Sequence, residues 1–297
     1  MQKTTPKHLV WLGLFILLVW SGDHLMSAVL NILTEQSEFR YSRMYKGNAR
    51  ADILAIGNSR GLFFQEPVLH QLTGKQTLNL SYNGMPANLA LTLLQDYYDR
   101  YPAPALLLLD ISMCYQPNDA LIAAFSLYTP QSKHIAHLLQ KTQPHLYWGS
   151  QAFHLVRYNG EVFQRSMFYL NRSDAGWVSQ GELSAKLAEQ AIQQPVIPLY
   201  PDSGILNDLK QIVHLAQSHK TTVRLILNPY YPPYVSKLPH IEDFTNKITQ
   251  QTGLPVHDYS RLLSDRTLFA DYTHLNAAGS TQFLLRLQQD GLLKQDK

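Results

Sequence analysis

The stretch ADILAIGNSR, residues 51–60, indicates the fold class. Residues 53–56 form a short apolar run that ends in Gly57, which is typical of a buried strand followed by a turn. Strands that are apolar throughout occur mainly in parallel sheets covered by helices on both faces. The polar residues 58–60 (Asn-Ser-Arg) therefore follow directly on the end of a predicted strand, where parallel sheets place their functional groups.

The same pattern recurs along the chain. Four further strands are predicted in TLNLSYNG (77–84), ALLLLDIS (105–112), TVRLILNPY (222–230) and LPVHDYS (254–260). Segments of helical periodicity alternate with these strands, at 61–72, 86–101, 204–220, 244–253 and 277–293. This alternation predicts an α/β fold with a five-stranded parallel sheet between two layers of helices.

Polar residues follow each predicted strand. Asn83-Gly84 follows the second strand, Asp110 ends the third, and Asn228-Pro229 follows the fourth. The stretch DYTHLNAAGS (271–280) comes after the fifth strand, past a short connector. Because the carboxyl ends of parallel strands meet at one edge of the sheet, we expect these residues to lie near Ser59.

Ser59, Asp271 and His274 each have two interpretations. Ser59 is either a nucleophile at a strand-to-helix turn or an ordinary helix N-cap. His274 is either a general base that is oriented by Asp271, three residues before it, or part of a polar helix start. In the second interpretation, Asp271 or Thr273 caps the last helix.

Gly84 and Asn228 also have two interpretations each when they are considered alone. Gly84 either presents its backbone N–H to a substrate or is a common loop glycine. Asn228 either provides a side-chain amide donor or starts a turn before Pro229.

Taken together, four blocks of sequence resemble the SGNH hydrolases, also called the GDSL esterase/lipase family. The blocks are IGNSRG, NLSYNG, LILNP and DYTHLN, and the resemblance covers about residues 51–293. It implies a three-layer α/β/α sandwich of flavodoxin-like type. It also implies a catalytic triad of Ser59, His274 and Asp271, with the Ser59 and Gly84 N–H groups and the Asn228 amide as oxyanion donors.

Two positions depart from the family pattern. Asn58 stands where aspartate is commonest, at a position outside the triad, and Pro229 follows Asn228 where the family pattern is Gly-x-Asn-Asp. The spacing of Asp271 and His274 fits the pattern without adjustment.

Residues 1–33 predict a membrane anchor. Lys3 and Lys7 precede a stretch that is uncharged from Leu9 to Gly22, and DHLMSAVLNIL (23–33) extends it beyond the length of about 20 residues that spans a bilayer. The two lysines predict a cytoplasmic N-terminus, so the rest of the chain would be periplasmic or extracellular. A cleaved signal peptide and a buried soluble helix are the alternatives.

Three parts follow from these features: the anchor at 1–33, a polar connector at 34–50, and an SGNH-like catalytic domain at 51–297. Within the last part, residues 113–200 form an aromatic-rich insertion without strand–helix alternation. This insertion is either a lid or carbohydrate-stacking wall over the site, or a separate hydrophobic core.

Composition excludes several classes of site and partner. The formal net charge is +3 without a basic tract, so a nucleic-acid partner is not expected. Cys114 is the only cysteine and is predicted to be buried, which excludes an intramolecular disulfide. His134 and His137 lack an acidic cluster nearby, so we expect neither a metal nor any other cofactor.

The anchor together with the SGNH blocks resembles the layout of membrane-anchored SGNH-like proteins that act in bacterial envelope polysaccharide O-acylation. That resemblance implies an O-acyl esterase or acyltransferase for an acylated glycan, in the cytoplasmic membrane beside a polytopic O-acyltransferase. Arg60 and Asn83 are predicted substrate contacts, with a salt bridge or a solvated side chain as the alternative for Arg60. A non-catalytic scaffold that binds glycan is the alternative function.

Overall fold

The structure is a computed structural model that describes residues 7–174 and 177–294, so the predicted Lys3 lies outside the described residues. The chain forms two compact units. The first unit contains Met1–Lys46 and Asp119–Arg172, and the second contains Gly47–Asn118 and Ser173–Lys297. The predicted insertion is therefore divided, because its middle belongs to the first unit and its two ends belong to the second.

The described residues contain five strands. They are β1 (Ile53–Ile56), β2 (Thr77–Asn79), β3 (Leu106–Asp110), β4 (Thr222–Leu227) and β5 (Val256–Asp258).

The α-helices of the described residues alternate with these strands in the second unit and form the first unit without strands. They are α1 (Lys7–Gln36), α2 (Arg40–Lys46), α3 (Glu66–Thr73), α4 (Ala87–Arg100), α5 (Asp119–Ala124), α6 (Lys133–Thr142), α7 (Pro144–Ala152), α8 (Glu161–Phe168), α9 (Ala185–Gln193), α10 (Ser203–Ser218), α11 (Pro232–Val235), α12 (Ile241–Thr252) and α13 (Ala277–Gln289).

The second unit is built on one parallel sheet with strand order β2-β1-β3-β4-β5. β1 and β3 are buried along their whole length, as the continuous apolar runs predict. The predicted α/β fold with a five-stranded parallel sheet is therefore confirmed. This strand order is that of the flavodoxin-like class, in which ligands bind at the carboxyl ends of the strands.

Helices cover the sheet in two groups. α3 and α13 pack together, and their apolar residues share one core with alternate residues of the strands, including Ile53, Leu106 and Ile226. α4, α10 and α12 form the other group, in which α10 contacts both neighbours. Since alternate residues of a strand face opposite sides, each buried strand serves both groups.

The predicted helix at 61–72 is interrupted. A 3-10 turn, Gly61–Phe63, ends before α3, and Gln65 between them is extended. Pro67 lies in the first turn of α3, where its missing N–H costs no helical hydrogen bond, so it starts a new helix. The interruption leaves the residues after β1 in a tight turn.

The first unit has an aromatic core of its own. Phe39, Tyr41, Phe125 and Tyr128 are buried, and the ring of Tyr41 meets those of Phe39 and Phe125 edge-on. Phe125 and Tyr128 of the predicted insertion therefore belong to a hydrophobic core, whereas Trp148 and Phe153 of the same stretch are exposed. Cys114, in the second unit, is buried, as predicted.

Candidate active site

Ser59 lies in the tight turn that follows β1. The Asn58 side chain accepts a hydrogen bond from the Arg60 N–H at 2.9 Å, and the Asn58 carbonyl accepts one from the Gly61 N–H at 3.0 Å. The side chain of Ser59 does not cap the 3-10 turn that begins at Gly61. Its partly exposed hydroxyl is instead free to bond a residue from elsewhere in the chain.

His274 is that partner. Its Nε2 lies 2.8 Å from Ser59 Oγ, and its Nδ1 lies 2.9 Å from Asp271 Oδ2. Both His274 and Asp271 are partly exposed, at 33% and 38% of the side-chain surface, so solvent and small molecules reach them. The structure thus brings together the three residues predicted to form the triad, although Asp271 comes 212 positions after Ser59 in the sequence.

Asp271 is fixed by its own neighbours. Its Oδ1 accepts hydrogen bonds from the Thr273 N–H at 2.7 Å, the Thr273 hydroxyl at 2.8 Å and the His274 N–H at 2.9 Å. Burial raises the pKa of Asp271, but the hydrogen bonds and charge of His274 and the bonds from Thr273 outweigh it and lower the pKa to about 2. Asp271 is therefore a carboxylate at neutral pH.

The last helix has a different cap. Asn276 is the N-cap of α13, and its side chain accepts a hydrogen bond from the Gly279 N–H at 3.0 Å. Its amide also donates to the Thr267 carbonyl at 2.7 Å. The alternative in which Asp271 or Thr273 caps this helix is therefore wrong, because both residues turn toward His274.

Gly84 lies in the turn after β2, beside the turn that carries Ser59. The chain beyond β2 stays paired with β1, because Leu80 N–H donates to the Ala55 carbonyl at 2.8 Å and Tyr82 N–H donates to the Gly57 carbonyl at 3.1 Å. Gly84 is exposed and has a left-handed backbone with φ of 69°. Asn83, the other predicted residue of this turn, is exposed as well.

Asn228 follows β4 and is fully buried. Its Nδ2 donates a hydrogen bond to the Arg60 carbonyl at 2.9 Å, so the side chain touches the turn of Ser59. Among the described residues its Oδ1 has no hydrogen-bond partner. The amide of Asn228 is therefore bonded to the backbone that follows Ser59.

Arg60 is not placed as a substrate contact. Its side chain is only 4% exposed, and its guanidinium lies 3.3 Å from the centre of the Tyr230 ring. Nη1 donates to the Thr273 carbonyl at 2.7 Å, and Nη2 donates to the carbonyls of Asn228 and, at 3.1 Å, Pro229. Arg60 therefore ties the serine turn to the loops that carry Asn228 and His274, a role that the sequence did not suggest.

Asp110, the last residue of β3, is a further buried polar group near the serine turn. The side chain of Asp110 is fully buried and packs against Gly57 in the serine turn. A Cβ added to Gly57 would lie only 2.5 Å from the Cβ of Asp110. The Ser112 hydroxyl lies 2.8 Å from Asp110 Oδ2 and 3.0 Å from Asn58 Oδ1. Burial raises the pKa of Asp110, whereas the charge of Arg60 and the hydrogen bonds of Ser112 oppose the rise.

Aromatic side chains flank the site. The rings of Tyr234 and Tyr272 are 5.0 Å apart, and both are partly exposed next to the loop of Asp271. The rings of Tyr82 and Trp177 meet edge-on, with their centroids 5.4 Å apart. Tyr82 immediately precedes the Asn83–Gly84 turn. Tyr82 is buried, so the rings of this group that are partly exposed next to Asp271 are those of Tyr234 and Tyr272.

Within the described ranges, a single group of three side chains is spaced to hold a metal ion, and it consists of Asp23, His24 and His154 in the first unit. His134 and His137, which the sequence singled out, lie on α6 and are not part of it. None of the residues around Ser59 belongs to it either.

No family model matches the chain, and no curated protein sequence matches it. Among solved structures, a protein of Streptococcus pneumonia described as a candidate platelet activating factor matches with 13% identity and a TM-score of 0.41. The match covers 98% of this chain and 100% of that one. At this similarity it identifies neither a family nor an activity, so we infer the function from the chain's own side chains.

Proposed function

We propose that the chain is a serine-dependent O-acyl esterase or acyltransferase of the SGNH type. The observation that carries this proposal is the hydrogen-bonded series from Ser59 Oγ through His274 to Asp271, with distances of 2.8 Å and 2.9 Å. A nucleophile bonded to a base, which is in turn oriented by a carboxylate, is the arrangement that activates a hydroxyl for acyl transfer.

In the first half-reaction, Ser59 Oγ attacks the carbonyl carbon of an ester while His274 Nε2 takes the hydroxyl proton. The ionised Asp271 accepts the Nδ1–H of His274, fixes this tautomer and stabilises the imidazolium that forms. The oxygen that gains negative charge is met by N–H donors, for which we propose Ser59, Gly84 and Asn228. His274 then gives its proton to the leaving alcohol, which leaves an acyl group on Ser59.

In the second half-reaction, the same base activates the acceptor. His274 takes a proton from water or from a sugar hydroxyl, the acceptor oxygen attacks the acyl carbon, and Ser59 Oγ leaves with the proton returned by His274. Water as the acceptor completes hydrolysis, and a sugar hydroxyl completes acyl transfer.

We propose an acylated glycan of the cell envelope as substrate. The partly exposed rings of Tyr234 and Tyr272 beside the site support this class, because aromatic faces pack against the apolar faces of sugar rings. Among the described residues, one helix, α1, is long and apolar enough to cross a membrane. Lys7 at its start supports a cytoplasmic N-terminus with Ser59 on the other side, where a polytopic O-acyltransferase is the proposed partner.

The test is active-site labelling of the full-length chain in detergent with a fluorophosphonate, together with turnover of p-nitrophenyl acetate. We expect Ser59→Ala to abolish both, while Ser218→Ala, an exposed serine near the end of α10, changes neither. Labelling that persists in Ser59→Ala would overturn the nucleophile assignment. A folded wild-type chain that neither labels nor turns over would instead support the non-catalytic scaffold.

Hydrolysis and transfer are separated by the products. Incubation of the wild-type chain with p-nitrophenyl acetate and a soluble oligosaccharide, followed by mass spectrometry, distinguishes free acetate from an acetylated sugar. Ser59→Ala is the control for acetylation that occurs without the protein's own nucleophile.

A further inference from the structure

The second half of α1 carries a polar stripe on one side. Asp23, Ser27 and Thr34 are buried, and Asn31 is partly buried. Their spacing of four, four and three residues places them on a single face of the helix. The buried face of this helix is therefore its polar face.

The polar stripe is hydrogen-bonded within the first unit. The carboxylate of Asp23 accepts the backbone N–H groups of His154 at 2.8 Å and Leu155 at 2.9 Å. Tyr158 donates its hydroxyl to the Ser27 carbonyl at 3.0 Å. Further along, Gln131 donates to the Asn31 side chain at 2.7 Å. Asp23, Ser27 and Asn31 thus each contact residues of 119–172.

The opposite face of the same helix is apolar and exposed. Leu25, Met26, Val29 and Ile32 are 71%, 51%, 45% and 53% exposed. The residues from Leu9 to Trp20 are exposed on every side. A helix in water buries its apolar face and exposes its polar one, so this arrangement is the reverse of what water favours.

The length of the apolar surface matches a bilayer. From Leu9 to Ile32 it extends over 24 residues, which at 1.5 Å per residue is about 36 Å. The hydrocarbon core of a bilayer is about 30 Å thick. The exposed apolar face is therefore long enough to cross the hydrocarbon core and to extend about 6 Å beyond it.

The segment bound to Asp23 is itself apolar on its outer side. Trp148 and Phe153 are 60% and 51% exposed, and Leu155 and Val156 are 37% and 38% exposed. They lie on α7 and the 3-10 turn that follows it, His154–Tyr158, whose first two N–H groups are fixed on Asp23. α1 and the segment bound to Asp23 thus both expose apolar side chains.

We propose that the outer face of α1 from Leu25 to Ile32 and the segment 144–158 form one lipid-contacting surface, seated in the headgroup region of the bilayer. Lipid is the occupant because this surface continues the stretch of α1 that is exposed on every side, and because exposed tryptophan and phenylalanine side chains are typical of membrane interfaces. The first unit is then a membrane-seated collar around the exit of α1, independent of any activity at Ser59.

Spin labels in lipid nanodiscs test this surface. The full-length chain, with the buried Cys114 replaced by alanine, receives a nitroxide at Met26→Cys or Val156→Cys. Leu17→Cys, in the all-round exposed stretch, is the reference for lipid. Gln140→Cys, an exposed polar position on α6 of the same unit, is the reference for water. The nanodiscs contain phosphatidylethanolamine and phosphatidylglycerol only.

We expect the labels at 26 and 156 to be relaxed by oxygen and shielded from a water-soluble nickel chelate, as at 17 and unlike at 140. A label at 156 with the nickel accessibility of 140 would overturn the proposal and leave the surface to a protein partner.

A second measurement keeps the surface unaltered. Replacement of Trp11, Trp20 and Trp177 by phenylalanine leaves Trp148 as the only tryptophan of the chain. Quenching of its fluorescence by brominated lipids is the expected result. Fluorescence that is unchanged by these lipids in a folded chain would contradict lipid contact.

Discussion

Arg60 is the residue that links the separate loops of the candidate site. Its guanidinium donates to carbonyls of Thr273, Asn228 and Pro229, so one side chain fixes the loop of the base and the end of β4 against the serine turn. A planar group with several N–H donors can serve three acceptors at once, whereas a lysine ammonium acts as a point charge. The position of His274 relative to Ser59 therefore depends on an arginine.

Arg60→Lys is expected to lower kcat while leaving KM for p-nitrophenyl acetate unchanged, because the Arg60 guanidinium is buried and bonded to backbone carbonyls. Each buried carbonyl left without a donor costs about 1–3 kcal/mol of stability. Steady-state kinetics and urea denaturation measure both effects. Arg286→Lys, at an exposed arginine of α13, is the control. A raised KM for an anionic ester, with kcat unchanged, would instead show that Arg60 binds the substrate.

Asp271→Asn is expected to reduce kcat by about 10⁴-fold, because an amide stabilises the wrong tautomer of the base and no imidazolium. The rate of acyl-enzyme formation with p-nitrophenyl acetate measures this. Asp243→Asn is a matched control, since Asp243 lies 3.3 Å from His240 on the surface without a serine partner. A rate within the range of the control variant would remove Asp271 from the mechanism.

The stability of the fold should also depend on pH through Asp271. Its pKa is about 2 in the folded chain against an ordinary value of 3.8, so the carboxylate stabilises the fold above the higher value. This contribution is lost as the pH falls from about 4 to about 2. Urea denaturation of wild type and Asp271→Asn should give a stability difference that shrinks over this interval. A difference that grows toward low pH would contradict the assignment.

The sequence predicted the chemistry-bearing residues better than their contacts. Ser59, Gly84 and Asn228 could be found because they follow local apolar runs whose carboxyl ends meet in a parallel sheet, and His274 because its block resembles the SGNH pattern. The burial of Arg60 and the pairing of Ser112 with Asp110 could not, because they depend on side-chain contacts between distant loops. A polar residue after a strand predicts a place at the sheet edge without showing whether the side chain faces solvent or protein.

At the level of elements, the polar residue that caps α13 is different from the polar residues that hold His274 in the preceding loop. Asn276 caps the helix, whereas Asp271 and Thr273 hold His274. The sequence could not separate these functions, because all three residue types favour helix starts and lie within six positions. In the structure, Asn276 caps α13, and Asp271 and Thr273 both contact His274.

Asn276→Ala should therefore destabilise the fold without removing the reactive serine. Loss of an N-cap costs about 1–2 kcal/mol, and thermal denaturation measures it. Fluorophosphonate labelling of the folded variant should persist. Asn276→Asp, which keeps the acceptor for the Gly279 N–H, should recover part of the stability. Labelling that disappears while the variant is folded would show that cap and base are not independent.

For the molecule as a whole, α1 is a structural part of the first unit as well as a candidate membrane span. Hydropathy could predict the apolar length of this helix but not the direction of its polar stripe, since an average over a window hides which side each residue occupies. The prediction of an anchor ending near residue 33 therefore missed the contacts with 119–172.

Two truncations separate the polar stripe of α1 from the part of the chain before Asp23. Deletion of residues 1–22 leaves Asp23, Ser27 and Asn31 in place and should leave the melting temperature in detergent nearly unchanged. Deletion of residues 1–36 removes the partners of His154, Tyr158 and Gln131 and should lower it, at about 0.5–1.5 kcal/mol for each lost hydrogen bond. Tryptophan fluorescence on heating measures both. Equal melting temperatures would show that α1 does not stabilise the unit.

The polar stripe of α1 also sets an order for biosynthesis. Its partners lie between Asp119 and Arg172, and Arg172 is made 136 residues after Gln36. At about 5–20 residues per second, the ribosome needs about 7–27 s to supply them. During that time the Asp23 carboxylate has not yet met its partners, and a charged side chain is costly in contact with lipid. The translocation channel is therefore expected to retain α1 until the collar that receives it has emerged.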